Sequence, residues 1–376
     1  MKRQSNEVMT KYLLPILLGV IVFPFLSWQG AISVIVGSFL LLIISRFRSV
    51  TFSTKLSLQN HRLIRTLQRL TSDKRVRIGL LLAILLMPLY LPRFPLEIVT
   101  LALIYVLLAM GLDIVVGLTG LLALGFIAFY AVGAYTYALL STQFGLNFFL
   151  ALPIGAVSAA LVGLLVGLPV MRLKGDYLAI VTLGFGEITR IVLNNWDSVS
   201  GGPNGILGIP RPHFFGVKLA SPGAYYWIIL TLVALGAILI YRIVRSKTGR
   251  AWEAIREDEL AAASCGIPVV RYKLLAFSLG AGFAGVAGVF FAGRMTHISP
   301  ESFTFLESVM VLCMVVLGGM GSLLGVVIGA LALIILPELL REAALYRMLL
   351  FGLLLIVMMR YRPQGLVPAR RSERFF

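Results

Sequence analysis

Long apolar stretches recur along nearly the whole chain of 376 residues, and they constrain its fold more than any other feature. A helix needs about 17–25 apolar residues to cross a hydrocarbon core roughly 30 Å thick, and stretches of this length appear repeatedly. The chain is 13% charged, whereas a soluble chain carries about 25% charged residues. Regular alternation of apolar and polar residues, which is typical of outer-membrane barrels, is absent. The sequence therefore predicts an all-α, polytopic membrane helix bundle.

We predict about 10–12 crossings, some of them in helices that are broken at glycine. The predicted spans lie at residues 12–27, 31–45, 78–92, 97–117, 119–141, 148–171, 177–194, 224–245, 272–293, 304–318, 322–337 and 343–360. Three parts of the chain differ in character, and their boundaries define the predicted organisation. Residues 1–77 form an N-terminal extension with two spans and a basic cytoplasmic segment, residues 78–365 form one bundle, and residues 366–376 form a basic cytoplasmic tail.

The net charge of +17 raises the question of nucleic-acid binding. The Lys and Arg residues are concentrated in loops that fall on one side of the predicted membrane, as the positive-inside rule describes. The charge therefore indicates topology and not a nucleic-acid surface. It places both termini in the cytoplasm and the loop 195–223 outside.

A dense polar segment, GRAWEAIREDELAAASCG, interrupts the apolar sequence between Gly249 and Gly266. Strong helix formers predict one short helix from about Arg250 to Ala263, and Trp252 and Ile255 share a face at i, i+3 spacing. The segment is rich in acids, which anionic lipid would repel, so a protein partner is the favoured interpretation over the membrane surface. No phosphate-binding G-x-x-x-x-G-K-[ST] loop occurs, so a nucleotide that drives this bundle must be bound by another chain.

Glycine clusters mark three membrane segments, 117–125, 175–190 and 315–330. Glycine in a membrane helix either permits close helix packing or lets the helix unwind beside a cavity, and both interpretations stay open. Glu187 lies close to mid-depth in its predicted span, where a carboxylate is costly unless it is paired or hydrated. It is a candidate functional residue, and the alternative is simple neutralisation by Arg190.

The predicted outer loop contains a run of turn-forming residues. They are Gly201, Gly202, Pro203, Asn204 and Gly205. A rigid loop of this kind is suited to docking an extracytoplasmic partner, and the alternative is a plain spacer. Motifs of hydrolases and metalloproteases, including G-x-S-x-G and H-E-x-x-H, are absent, so the sequence indicates neither an enzyme nor a metal site.

Six motifs in order resemble one family. They are GDYLAIVTLGFGEITRIVLNN, SGGPNGI, GRAWEAIREDE, SPESFTF, VVLGGMGS and RPQGL. Across roughly residues 78–368 the chain is similar to the LivM-type permeases of branched-chain amino acid ABC importers. The resemblance implies a permease subunit in the bacterial inner membrane that moves leucine, isoleucine and valine inward. Close relatives carry urea, other amino acids or small organic acids.

The resemblance also implies partners. They are a LivH-type permease that forms a heterodimer with this chain, LivG- and LivF-type ATPases that hold ATP and Mg, and a periplasmic amino-acid-binding protein. This chain itself is expected to bind no cofactor. A non-transporting membrane scaffold, and a channel or ion-driven transporter, remain the alternatives from other classes, and co-purification with ATPase chains distinguishes them.

Three sets of site residues follow from the motifs and the resemblance. The expected coupling contacts to the ATPase are Arg250, Trp252, Glu253, Ile255, Arg256, Glu257, Glu259 and Gly266. The expected substrate pathway comprises Tyr130, Thr182, Gly184, Phe185, Gly186 and Glu187, with helix N-termini freed at Gly184 and Gly186 for the carboxylate. Binding-protein docking is expected at Gly201–Gly205. One departure is Leu260, which stands where importers of this class usually carry glutamate.

Overall fold

The computed structural model describes residues 85–171, 175–214, 217–218, 221–339, 352, 356 and 365–367. They belong to the unit Leu85–Phe376. The predicted extension 1–77 with its spans at 12–27 and 31–45 lies outside the described residues. So do nearly all of the predicted span 343–360 and most of the tail 366–376. These parts of the prediction stay untested.

Eleven α-helices are described with defined bounds. They are α1 (Arg93–Asp113), α2 (Ile127–Phe144), α3 (Phe148–Val170), α4 (Asp176–Asn195), α5 (Asp197–Ser200), α6 (Pro222–Val244), α7 (Lys247–Glu257), α8 (Glu259–Ser264), α9 (Val269–Met295), α10 (Phe305–Gly318) and α11 (Leu323–Leu339). Residues 85–90 are also helical.

Short irregular elements connect these helices. Helix α1 continues into a π-helical turn at Ile114–Leu118, and 3₁₀ turns lie at Gly202–Asn204 and Pro300–Phe303. The strands within the described residues are two residues long: β1 (Ile206–Leu207), β2 (His213–Phe214), β3 (Val217–Lys218) and β4 (His297–Ile298). β1 pairs antiparallel with β4, and β2 pairs antiparallel with β3. The expected all-α class is therefore confirmed.

Six of the described helical segments are long and apolar enough to cross a membrane. They are Arg93–Leu118, Phe148–Val170, Tyr177–Asn195, Pro222–Val244, Val269–Met295 and Pro300–Gly318, and a shorter apolar helix covers Leu323–Glu338. Length and composition carry this assignment, since each segment exceeds the minimum for a bilayer crossing. The prediction of a polytopic helix bundle is confirmed.

Helices α1 and α9 form the centre of the bundle. The apolar window of α1 is 83% buried and that of α9 is 61% buried, whereas the windows of α3, α4 and α6 are each 22% buried. Helix α9 packs closely because small residues let backbones approach. A Cβ on Gly285 would overlap the carbonyl of Gly155 in α3 and lie 2.6 Å from Cβ of Ala159. The peripheral helices present their apolar faces outward, as a membrane requires.

The predicted span 119–141 differs from the structure. Residues 119–126 are not helical, and the helix that follows, α2, covers Ile127–Phe144. Gly120 has φ +74, a left-handed conformation that ends the turn after α1. The non-helical residues before α2 lie inside the bundle and not at its surface, because Gly125 packs directly against α4. The apolar pattern could not reveal this, since a buried loop and a buried helix are equally apolar.

The second glycine break lies between α10 and α11. Gly319 and Gly321 have φ +117 and +80 and separate the two helices. The chain near its C-terminus returns to this point, where the backbone N–H of Leu366 donates to the carbonyl of Leu317 (2.8 Å). Helices are thus interrupted in both glycine-rich segments, 117–125 and 315–330. Their glycines also permit close packing, since a Cβ on Gly325 would overlap the carbonyl of Gly318. Close packing and interruption, the two uses that the sequence left open, therefore both occur here.

The polar segment and the Gly-rich loop lie at opposite ends of α9. The N-terminal end of α9 contacts α7, since Trp252 Nε1 donates to the carbonyl of Tyr272 (2.8 Å). The C-terminal end runs into β4, which pairs with β1 just after Gly205. Helix α9 has 27 residues, and at 1.5 Å per residue this is about 40 Å, more than a hydrocarbon core. The two loops therefore lie on opposite sides of the apolar layer.

Candidate coupling loop and translocation pathway

The polar segment folds as two helices and not as the single helix predicted from Arg250 to Ala263. Asp258 interrupts it in an extended conformation, φ −156 and ψ 113. Its Oδ1 accepts hydrogen bonds from the backbone N–H groups of Leu260 (2.8 Å) and Ala261 (3.0 Å), so Asp258 is the N-cap of α8. Aspartate is among the strongest N-cap residues, and capping a new helix competes with continuing the old one. We call residues Lys247–Gly266 the coupling loop.

The apolar face of α7 packs against this chain's own bundle. Trp252 is 0% exposed and Ile255 is 4% exposed. Ile255 packs with Ala262 and Val269, so it fastens α7 to α8 and to the start of α9. We predicted from the sequence that Trp252 and Ile255 contact an ATPase directly, but both side chains pack against this chain's own helices instead. An i, i+3 apolar pair identifies a buried face, but it does not identify what covers that face.

Glu259 is also engaged within the chain. Its Oε2 lies 2.6 Å from Nζ of Lys273 on α9, and the Lys273 side chain is 4% exposed. A buried ammonium group is costly unless it is paired, so Glu259 stabilises the junction of α8 with α9. Lys273 was not among the candidate residues that we predicted from the sequence. No local signal distinguishes it, since a lysine in the second turn of an apolar helix looks like an ordinary residue at the membrane interface.

The outer face of the coupling loop carries the other predicted contact residues. Arg250, Glu253, Glu257 and Gly266 are exposed. Leu260 is 70% exposed on the first turn of α8, which leaves a large apolar side chain in contact with water. A surface of mixed charge around one exposed leucine is suited to docking a protein partner. Arg256 is also exposed, but its Nη1 donates to the backbone carbonyl of Gly117 in the π turn that follows α1.

The predicted pathway residues on α4 meet α2 at one packed contact. Thr182 Oγ1 accepts from the backbone N–H of Leu124 (3.1 Å), and a Cβ on Gly186 would lie 3.1 Å from Cα of Gly125. The ring of Phe185 lies 5.6 Å from that of Phe129. The structure therefore brings Thr182, Phe185 and Gly186 together beside the start of α2.

Tyr130 and Gly184 lie apart from this contact. The ring of Tyr130 packs within the bundle, 5.3 Å from Phe291 and 5.4 Å from Phe303. Gly184 has no atom near a hypothetical Cβ, so it faces open space on α4. Helix α4 is continuous from Asp176 to Asn195. The expected helix N-termini at Gly184 and Gly186 are therefore wrong, because Gly186 serves close packing against Gly125 and not unwinding.

Glu187 belongs to a row of three charges, of which Glu187 and Arg190 lie on α4 and Glu301 lies on the 3₁₀ turn Pro300–Phe303. Nε of Arg190 lies 3.0 Å from Oε2 of Glu187, and Nη1 of Arg190 lies 3.6 Å from Oε1 of Glu301. The Glu187 and Arg190 side chains are 33% and 29% exposed. From the sequence, Glu187 could be either a functional carboxylate or one that Arg190 simply neutralises. The pair does form, and it forms on a half-exposed face where apolar lipid would leave it poorly solvated.

The predicted docking loop is a rigid turn. Gly201, Gly202 and Gly205 have φ between +58 and +74, values that side chains other than glycine rarely adopt. A Cβ on Gly205 would overlap the carbonyl of Ile298, so the turn is fixed against β4. Pro203 and Asn204 are exposed at its tip. The glycines therefore shape the loop and leave two residues for contact with another molecule.

Most of the chain is similar in sequence to known membrane permeases. Residues 94–359 match the family described as "Branched-chain amino acid transport system / permease component". The chain is 47% identical over 324 residues to the high-affinity branched-chain amino acid transport system permease protein LivM of Escherichia coli, covering 80% of this chain and 76% of the relative. It is 26% identical over 236 residues to a probable branched-chain amino acid transport permease protein LivM of Methanocaldococcus jannaschii, covering 59% and 68%.

A second type of permease is also similar. The high-affinity branched-chain amino acid transport system permease protein LivH of Escherichia coli is 29% identical over 300 residues, which cover 73% of this chain and 95% of the relative. No solved structure matches the chain significantly.

Proposed function

This chain belongs to the family of branched-chain amino acid transport system permease components, and we propose that it is a membrane-spanning permease subunit of an ABC importer that moves leucine, isoleucine and valine inward. ATP hydrolysis on partner chains drives the transport. One observation carries the proposal beyond family membership: a polar docking surface and a rigid Gly-rich turn lie at opposite ends of the central helix α9. An importer needs one such surface for its ATPases and one for its binding protein.

The coupling loop is the proposed contact for the ATPases. Its outer face offers Arg250, Glu253, Glu257 and the exposed Leu260, which supply charge complementarity and one apolar anchor. Its inner face is fastened to the bundle by Trp252 and by the ion pair of Glu259. A loop with one face exposed to solvent and the other packed against the bundle moves with its partner as a rigid body. Displacement by the ATPases is therefore passed to the membrane helices and not lost in a flexible linker.

The outer face of α4 is the proposed wall of the translocation pathway. It holds Glu187 and Arg190 half-exposed within an apolar helix. Such a pair is expected to face water or a partner rather than hydrocarbon. In the pathway, Glu187 would face the ammonium group of the amino acid and Arg190 its carboxylate, while Phe185 and the open surface at Gly184 would accept the aliphatic chain.

A second permease is proposed to complete this wall. The chain is similar both to a LivM permease and to a LivH permease, so two homologous subunits can pack about a pseudo-twofold axis. The full complex would hold a LivH-type permease, LivG- and LivF-type ATPases and a periplasmic amino-acid-binding protein docked at Pro203 and Asn204. We propose that the coupling loop and both termini lie on the cytoplasmic side of a bacterial inner membrane, because Lys and Arg residues are typically concentrated in cytoplasmic loops.

Reconstitution tests the proposal. The chain is co-expressed with its partner permease, ATPases and binding protein, and the complex is placed in proteoliposomes with ATP inside. We expect uptake of labelled leucine that requires both ATP and the binding protein, and competition by isoleucine and valine. ATP hydrolysis stimulated by a binding protein loaded with urea or a small organic acid, without leucine uptake, would assign a different substrate. A complex that lacks ATPase chains would favour a scaffold or an ion-driven transporter.

A further inference from the structure

The end of α1 contacts the coupling loop through one backbone carbonyl. Helix α1 passes into the π turn at Ile114–Leu118, and the carbonyl of Val116 accepts from the N–H of Gly120 (3.2 Å). The next carbonyl, that of Gly117, accepts from Nη1 of Arg256 on the last turn of α7. The last carbonyls of a helix carry partial negative charge, so a guanidinium group is a favourable partner for them.

Glycine is required for this approach. Gly120 has φ +74, and a Cβ there would lie 3.3 Å from Cγ of Arg256. A Cβ on Gly117 would overlap the Asp113 carboxylate and lie 2.5 Å from the backbone nitrogen of Gly321. The stem of Arg256 therefore lies against Gly120, two residues after the π turn, and its Nη1 reaches back to the turn at Gly117. The other side of the turn touches the break between α10 and α11 at Gly321.

Asp113 completes the contact on that other side. Its side chain is buried, with 4% of the residue exposed, and its Oδ1 accepts from the backbone N–H of Gly321 (2.7 Å). Gly321 lies in the break between α10 and α11, where Gly319 and Gly321 both have positive φ. A buried aspartate bound to a backbone N–H holds this break against α1. Without it, that N–H would be left without a partner in an apolar environment.

We propose that Arg256, the π turn and Asp113 form a relay that carries displacement of the coupling loop to the break between α10 and α11. Arg256 is a positioning residue in this relay and not a contact to the ATPase. The proposal rests on the function proposed above, since the displacement comes from the ATPases. It goes beyond that function in naming which interior element moves first.

The parts of the relay differ in stiffness in a way that suits this role. Trp252 is fully buried and fixes α7, so Arg256 moves with its helix. The π turn is the least regular part of α1, and π turns often mark functional positions. The break has two left-handed glycines that can absorb a change of angle. Hydrogen bonds weaken steeply when their geometry is lost, so a small shift of α7 is enough to break the contact at Gly117.

The first experiment compares three variants of the reconstituted complex. Arg256→Ala removes the donor to Gly117, Arg256→Lys keeps one, and Arg271→Gln is the matched control because Arg271 is an exposed arginine at the same end of the bundle. We expect leucine uptake per ATP hydrolysed to fall at least about tenfold in Arg256→Ala, the range expected for loss of a hydrogen bond from a charged donor. Arg256→Lys should recover much of it, and the control should match wild type.

A double-mutant cycle tests whether the two sides of the turn act together. Asp113→Ala should reduce the same ratio, and the double variant Arg256→Ala with Asp113→Ala should be no worse than the more severe single variant. The effects of substitutions in one relay are not additive in free energy, whereas the effects of two independent contacts on the ratio would multiply. Multiplied effects would therefore overturn the relay.

Hydrogen–deuterium exchange supplies a readout that does not depend on transport. In the full-length chain, Arg256→Ala should raise exchange in the backbone of residues 317–323, and Arg271→Gln should not. Unchanged exchange and unchanged uptake in Arg256→Ala would overturn the relay while leaving the importer in place. A wild-type complex without ATP-driven uptake, together with raised exchange in Arg256→Ala, would instead reject the importer and support the mechanical link.

Discussion

Replacing Gly285 by alanine should destabilise the bundle, because Gly285 lies where α9 approaches α3 most closely. An added Cβ would overlap the carbonyl of Gly155 and lie 2.6 Å from Cβ of Ala159. Carbon atoms in contact prefer about 3.5–4.0 Å, so the two helices must separate by roughly 1 Å. The neighbouring atoms are backbone and Cβ atoms, which no rotamer change can move away. The cost is therefore expected near the top of the overpacking range, about 3 kcal/mol.

Gly282 provides the matched control on the same helix. A Cβ there would lie 3.5 Å from the carbonyl of Ala156 and 3.7 Å from Cβ of Ala160, which are ordinary contacts. Both substitutions gain the same helix propensity, about 1 kcal/mol, so this term cancels between them. The variants should differ by about 3 kcal/mol in the free energy of unfolding, with Gly282→Ala equal to or more stable than wild type.

The assay is thermal denaturation of the purified complex in detergent, followed by size-exclusion chromatography with fluorescence detection. At about 2 °C per kcal/mol for a large domain, the midpoints of the two variants should differ by about 6 °C. Midpoints equal to that of wild type in both variants would refute the reasoning, since they would show that α9 and α3 separate at no cost. Midpoints lowered equally in both variants would show that glycine is needed along α9 for a reason other than the contact with Gly155.

Three further predictions concern the coupling loop and the pathway. Trp252→Ala removes a fully buried side chain, so it should lower the free energy of unfolding by about 3–5 kcal/mol. Limited proteolysis should cleave the loosened coupling loop before any effect on ATPase binding is measurable. Glu259→Gln leaves the buried ammonium group of Lys273 without a counter-charge and should lower the free energy of unfolding by about 3 kcal/mol. Lys273→Met should be less destabilising, because it removes the buried charge itself. Thermal midpoints measure both effects. Glu187→Gln should lower leucine uptake in proteoliposomes, and full uptake in that variant would exclude an ammonium-binding role.

Much of the fold could be predicted because its signals are local. An apolar stretch long enough to cross a bilayer forms a helix wherever it lies in the sequence, so spans such as 148–171 and 224–245 agree closely with α3 and α6. The helix interruption near Gly319 was also predicted, since the spans 304–318 and 322–337 leave it between them. The loop at 119–126 was not, because apolar composition does not distinguish a buried loop from a helix.

The candidate site divides in the same way. From composition we predicted that the coupling loop docks a partner, and the same composition marked its amphipathic face. It did not show that Trp252 and Ile255 face inward, since an apolar face is equally suited to a partner and to the chain's own bundle. The split of the loop at Asp258 depends on a cap that competes with helix continuation. That competition is decided by how α8 packs against α9.

The sequence by itself determined that this chain is a membrane helix bundle of the permease family, with its polar loop and its Gly-rich turn on opposite sides. Periodicity, length and motif order carry that information without any knowledge of contacts. The tertiary structure alone decided which residues meet. Arg256 and Gly117 are 139 residues apart in the chain. Their contact depends on where α1, α7 and the break after α10 lie relative to one another, and each of those positions is set by packing along whole helices.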